Sequence, residues 1–265
     1  MVIREINRKV RCDVAGMQKD EGFIDYWLGL ADRYSQRNLT YESDKLPALS
    51  GLATYFSELH NQRYYAGIFS GAVAETLLWS PTTLGGLEKP ERYVAPSWSW
   101  VRPNGWIKMV APDQPGEWRG QRAVSQLESV LEDVRFELRS EVVEAPYGKI
   151  KEGGLMRVRG LVKDVWMERV ESGDSYRVKM RLSGDGKLMC NFYLDFFDEL
   201  DKGSVGSMVV KWNVECLWVL KDCGYVLILR AVSGEGGRYE RIGIASIDPD
   251  WFDFGGFRRE HISII

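Results

Sequence analysis

Two groups of carboxylates are the first residues in this sequence whose types and spacing could do chemistry. Asp195, Asp198, Glu199 and Asp201 follow an aromatic stretch, and Asp248, Asp250 and Asp253 surround Trp251. Oxygen ligands clustered in this way can hold a hard divalent cation. Neither group has the EF-hand spacing with its inner glycine and closing glutamate, and a solvated acidic loop accounts for each. The segment SGEGG, residues 233–237, looks like a glycine-rich phosphate loop. A dinucleotide fingerprint needs a helix after its glycines, whereas residues 238–247 read as a strand, so a hairpin loop explains the segment better.

Nucleophilic and metal chemistry have little to work with. The chain holds only two histidines, His60 and His261, and four cysteines, Cys12, Cys190, Cys216 and Cys223, with no C-x-x-C. That pattern argues against a cysteine–histidine zinc site and against a Ser–His–Asp or Cys–His constellation. His60 falls at a helix end, where an imidazole suits the C-terminal dipole. Free thiols are expected, with Cys216 and Cys223 able to face each other across a hairpin. No residue is assigned a catalytic, cofactor-binding or metal-binding role, and no cofactor is expected.

The stretch RYVAPSWSWVRPNGW, residues 92–106, packs three tryptophans, a tyrosine and two prolines into fifteen positions. If extended, it sends Trp98 and Trp100 to one face, with Ser97 and Ser99 opposite. Two readings follow: a core strand with a tryptophan face, which the usual burial of large aromatics favours, and an exposed aromatic platform for a sugar or nucleobase.

The surrounding elements must position this stretch. Phe23, Trp27, Leu30 and Tyr34 fall on one helical stripe that fades at Ser35. A second helix starts near Asp44, capped by Ser43 or Asp44, with Pro47 in its first turn and Leu49, Leu52, Ala53, Phe56 and Leu59 on its buried face. Residues 64–69 form an aromatic connector around Gly67, and a third helix covers about 71–79 until Ser80-Pro81 stops it. From about residue 126 the period becomes two. Strands are expected at 130–138, 154–165, 176–182, 187–194, 208–214, 216–220, 225–232, 239–247 and 261–265, with Asp185-Gly186 as a hairpin turn. Arg177, Lys179 and Arg181 make the basic side of one strand, read as its solvent face. The fold class is therefore α+β: a helical region over 1–120 ending in the tryptophan stretch, then an antiparallel sandwich or barrel over 121–265, the two able to share one core.

Composition narrows the function classes. The chain has 265 residues, 45% hydrophobic and 28% charged, with 35 basic and 38 acidic residues and a net charge of −3. Such mixed charge argues against a nucleic-acid binder governed by electrostatics. No apolar run reaches the length of a membrane span, and the amino terminus has no signal-peptide core, so a cytoplasmic protein without membrane insertion is expected.

Three blocks carry a resemblance. YSQRNLTYESDKLPALSGLA at 34–53, YYAGIFSGAVAETLLW at 64–79 and RYVAPSWSW at 92–100 occur in this order. Together they resemble the region that follows the core of fungal heterokaryon-incompatibility (HET) domain proteins, and YERIG at 239–243 and Trp251-Phe252 resemble its looser tail. AGIF at 66–69 stands where that family has AGLW, and Val101-Arg102 where it has Ala-Ser. Because 33 residues precede Tyr34, the resemblance implies the carboxy-terminal part of such proteins without most of the TIR-like HET domain. It implies a non-enzymatic role, with a protein partner, in nonself recognition or in regulating incompatibility cell death. The alternatives are a ligand- or carbohydrate-binding β-sandwich, and a fragment of a TIR-like NAD-hydrolase effector.

Overall fold

The computed structural model describes residues 22–82, 87–109, 128–172, 175–182, 187–188, 191–196, 211–220, 225–234, 236–246 and 257–265, with the side chains of 166–192, 211–213 and 246 left aside. Helix α1 (Phe23–Ser35) buries Phe23, Trp27, Leu28, Leu30 and Ala31, the stripe its period of three and four predicts. A 3-10 turn (Glu42–Asp44) runs without a break into α2 (Lys45–Leu59), which buries Leu46, Leu49, Ala53 and Phe56. The expected side-chain cap is not made. Asp44 is itself helical, and Lys149 reaches the Ser43 hydroxyl at 3.1 Å and lies 4.0 Å from the Asp44 carboxylate.

Strands β1 (Tyr64–Tyr65) and β2 (Ile68–Phe69) form a minimal hairpin around Ala66 and Gly67. Both turn residues have positive φ, 43° and 102°, and at Gly67 a Cβ would stand 2.7 Å from the Trp100 indole nitrogen, so only glycine fits. Helix α3 (Val73–Leu77) is shorter than the sequence suggests. Trp79 leaves it to begin β3 (Trp79–Pro81), which pairs with β4 (Ile107–Met109).

The tryptophan stretch is not a strand. Ser99 N–H bonds to the Pro96 carbonyl at 3.0 Å and Arg102 N–H to that of Ser99 at 3.1 Å, so the segment winds through consecutive turns. Trp98 and Trp100 are nonetheless in the core, at 0% and 2% exposure, while Arg92 is exposed. Local turns replace strand pairing here because the N–H and C=O groups of the segment are met within it and by the chain end: Ser97 N–H bonds to the Ile265 carbonyl at 2.8 Å.

The β-rich part comprises β5 (Glu132–Glu137), β6 (Leu155–Ser172), β7 (Ser175–Leu182), β8 (Lys187–Leu188), β9 (Asn191–Leu194), β10 (Lys211–Trp218), β11 (Tyr225–Ala231), β12 (Arg238–Ser246) and β13 (Arg258–Ile264). Neighbours run β10-β11-β12-β13-β6, and a further β6–β10 pairing closes these into a five-stranded barrel. β5 and β7 extend it along β6, β8 continues from β7, and β9 pairs with β12. Among the described residues, the strand pairings are antiparallel except β12–β13. The α+β class holds, and of the two expected forms, sandwich or barrel, the β-rich part is the barrel. Residues expected as two strands, 208–214 and 216–220, contribute to one, β10, which pairs continuously with β6 from Lys211 to Leu217. At Gly160 a Cβ would meet the Leu217 side chain at 2.5 Å, so glycine makes room for Leu217 on the neighbouring strand β10.

One hydrophobic cluster takes side chains from both parts of the chain, including Trp27, Phe56, Trp98 and Trp100 with Val158, Leu217, Leu227 and Ile262. The opposite face of the same strands builds a smaller cluster around Val165, Cys216, Trp218 and Ile228. The expected boundary near residue 120 lies outside the described residues, as do the first twenty-one.

Helix α3 also buries a carboxylate. Glu75 is 9% exposed and no cation pairs with it among the described residues. Burial pushes its pKa above the ordinary carboxylate value, Asp25 adds to the rise, and a local backbone N–H opposes it. A raised folded-state pKa means stability that is full below the unfolded pKa and falls as pH climbs through the folded value. Glu75→Gln should therefore gain on the parent protein between about pH 4 and about pH 7. Urea midpoints at the two pH values test this; parallel profiles would refute it.

Candidate functional site

A cleft of about 380 Å³ opens where the loop after α1, the start of α2 and the loop after Trp100 meet. Its walls include Tyr34, Arg37, Thr40, Glu42, Lys45 and Asn104. Beneath it the tryptophan loop is pinned to the β1–β2 turn. The Trp27 and Trp100 indole N–H groups donate to the one Gly67 carbonyl at 2.9 and 2.8 Å, and the Ser99 hydroxyl donates to that of Ala66 at 2.6 Å. The tryptophans thus shape the floor of the site without offering a face to a ligand.

Lys45, the first residue of α2, reaches across to the opposite wall. Its ammonium donates to the Pro103 carbonyl at 2.5 Å and the Asn104 side-chain oxygen at 2.6 Å. Tyr34 donates to the Lys45 carbonyl at 2.9 Å, and burial raises the phenol's pKa, with Asp44 adding to the rise. Burial pulls the Lys45 pKa down to about 8, against the pull of Glu42. Both Glu42 oxygens are engaged, one by the Asn104 amide and the other by the Glu91 N–H at 3.1 Å. Arg37 and Glu88 form no ion pair among the described residues. Tyr41 and Trp106, 67% and 50% exposed, adjoin lining residues in sequence, and the Trp106 N–H is held by Asp32 at 2.8 Å. The cleft offers spare hydrogen-bond donors, with aromatic surface beside it.

A second constellation is structural. Arg241 is wholly buried and binds Asp195 at 3.0 and 3.2 Å, the Leu77 carbonyl at 2.6 Å and the Trp79 carbonyl at 2.5 Å. Its guanidinium carbon lies 3.5 Å from the centre of the Trp79 ring. Burial lowers its pKa and Asp195 raises it; an arginine keeps its charge under such a balance. The Arg241 N–H donates to the Ser97 hydroxyl at 3.0 Å, so one residue ties β12 to α3, β3 and the tryptophan loop.

The sequence candidates separate on this structure. Asp195, read with an acidic loop, is a buried ion-pair partner because Arg241 meets it in the core. Its companions Asp198, Glu199 and Asp201, and the group Asp248, Asp250 and Asp253, lie outside the described residues, as do Cys12, Cys190 and Cys223 and the side chains of Arg177, Lys179 and Arg181. Cys216 is buried. Among the described residues no group of three or more histidines, cysteines and carboxylates is arranged to hold a metal. His60 stacks on Phe23 with ring centres 4.0 Å apart, and His261 is exposed with Asp133 at 3.8 Å. The SGEGG segment joins antiparallel β11 and β12, the hairpin arrangement. Lys45 and Arg241 were not singled out in the sequence. A charged residue inside the apolar run RIGIA was the available signal for the second; nothing local marked the first.

No protein-family model matches this chain, and no curated protein or solved structure does so either. No helix among the described residues is long and apolar enough to cross a membrane.

Proposed function

We propose that this chain is a non-enzymatic, cytoplasmic recognition module resembling the carboxy-terminal part of HET proteins, and that it engages a protein partner through the cleft in nonself recognition or in regulating incompatibility cell death. One observation supports this reading most. The block at 34–53 and the continuation of the block at 92–100, separated in sequence, line the same cleft. The block tryptophans Trp79, Trp98 and Trp100 are spent on the core, which leaves the polar cleft wall with its unpaired Arg37, and exposed Tyr41 and Trp106 next to it in sequence, as the surface to bind. Tyrosine, tryptophan and arginine are the residues that dominate binding energy at protein interfaces.

The test is coprecipitation of full-length fungal HET-domain proteins by the purified chain and by a Tyr41→Ala/Trp106→Ala variant. The parent should retain a HET-domain protein and the variant should lose it, with both melting at similar temperatures. Retention of none by the parent would overturn the reading, and equal retention by both would remove the cleft from it.

A further inference from the structure

We infer that Lys45 and Arg37 anchor the carboxylate of an acidic peptide segment in this cleft. The inference rests on the recognition reading above and names the ligand's chemistry. An ammonium has three N–H donors, and two of those on Lys45 are fixed on the tryptophan loop. The third has no partner among the described residues, and the Arg37 guanidinium and the Thr40 hydroxyl on the same walls make no hydrogen bond there either. These are donors without acceptors, on a partly buried cation whose position is set by its other two bonds. Such preorganisation lowers the cost of binding an anion.

The free donors select an acceptor, and the wall charges limit how much negative charge it can carry. The walls carry Lys45 and Arg37 against Glu42 and Glu88. Both Glu42 oxygens are occupied by N–H donors, so this carboxylate does not take up the spare donors of Lys45 and Arg37. A phosphate dianion would be repelled by Glu42 and Glu88 twice as strongly as a single carboxylate, which accepts two charge-assisted bonds from Lys45 and Arg37. Tyr41 and Trp106, exposed and next in sequence to lining residues, suit a peptide chain with apolar neighbours to the acid more than a small free acid.

The experiment selects random dodecapeptides displayed on phage against the immobilised full chain, with the Tyr41→Ala/Trp106→Ala variant as counter-selection. Enriched peptides should carry aspartate or glutamate, and the synthetic peptide should bind roughly tenfold or more tightly than its Glu→Gln or Asp→Asn counterpart. Affinity should fall as pH rises through about 8, where the Lys45 ammonium is lost. Lys45→Arg, charged throughout, should abolish that fall. If the Lys45 variant does not fold, Arg37→Gln, on a side chain that braces nothing, should weaken the acidic peptide and leave its amide counterpart unchanged. Enriched peptides indifferent to the amide replacement would overturn the carboxylate assignment while leaving recognition by the cleft standing. No enrichment over the counter-selecting variant would overturn both. Free N-acetylglutamate binding as tightly as the peptide would overturn the peptide assignment.

Discussion

Arg241→Met should lower the free energy of unfolding by about 3–5 kcal/mol, the usual cost of leaving a buried charge without its partner. Methionine approximates the arginine stem and little more. The change takes the guanidinium away from the Asp195 carboxylate, which is 1% exposed, and withdraws donors from the Leu77 and Trp79 carbonyls. It also removes the cation from the Trp79 face. At roughly 2–4 °C per kcal/mol for a chain of this size, the melting temperature should drop by about 6–20 °C. Arg241→Met/Asp195→Leu should recover part of the loss, because an apolar pair in a dry site can match a buried ion pair. A shift under about 1 kcal/mol in the single variant would show that water, not Asp195, meets the guanidinium.

Trp100→Ala is expected to cost about 3–5 kcal/mol as well, read from the urea midpoint at constant slope. The indole is 2% exposed and lies edge-on to Trp27 and Tyr34, with ring centres 6.2 and 6.1 Å away. Truncation opens a cavity that Trp27, fixed on the same Gly67 carbonyl, cannot move to fill. Trp106→Ala, on a half-exposed indole, provides the contrast and should shift the midpoint by well under half as much. Equal effects at the two positions would contradict the placement of Trp100 in the core.

Much of the helical part was legible in the sequence. Apolar residues at three- and four-residue spacing mark α1 and α2 because a helix places those positions on one side whatever it packs against. Period-two segments likewise announced most barrel strands, and the burial of Trp98 and Trp100 followed from side-chain size alone.

Backbone form within the tryptophan stretch was not legible, since alternation in WSW suits a strand as well as two successive turns. The orientation of Arg241 was hidden for a more specific reason. The β11–β12 register shifts between Ile228 and Leu229, opposite Ile242, and this bulge changes which residues share a face. Tyr239 and Ile244 therefore both meet the large cluster while Ile242 meets the small one, and Arg241 turns toward Trp79. Strict alternation would separate Tyr239 from Ile244.

By itself, then, the sequence determined the elements, the α+β class and the aromatic character of the core, all of which depend on neighbours a few residues apart. Tertiary structure decided the closed barrel, the Arg241–Asp195 fastening and the cleft. The ring closes through the pairing of β6 with β10, Arg241 finds Asp195 46 residues away, and Lys45 finds Asn104 at a separation of 59. Such meetings depend on how distant segments pack, and no local periodicity encodes that packing.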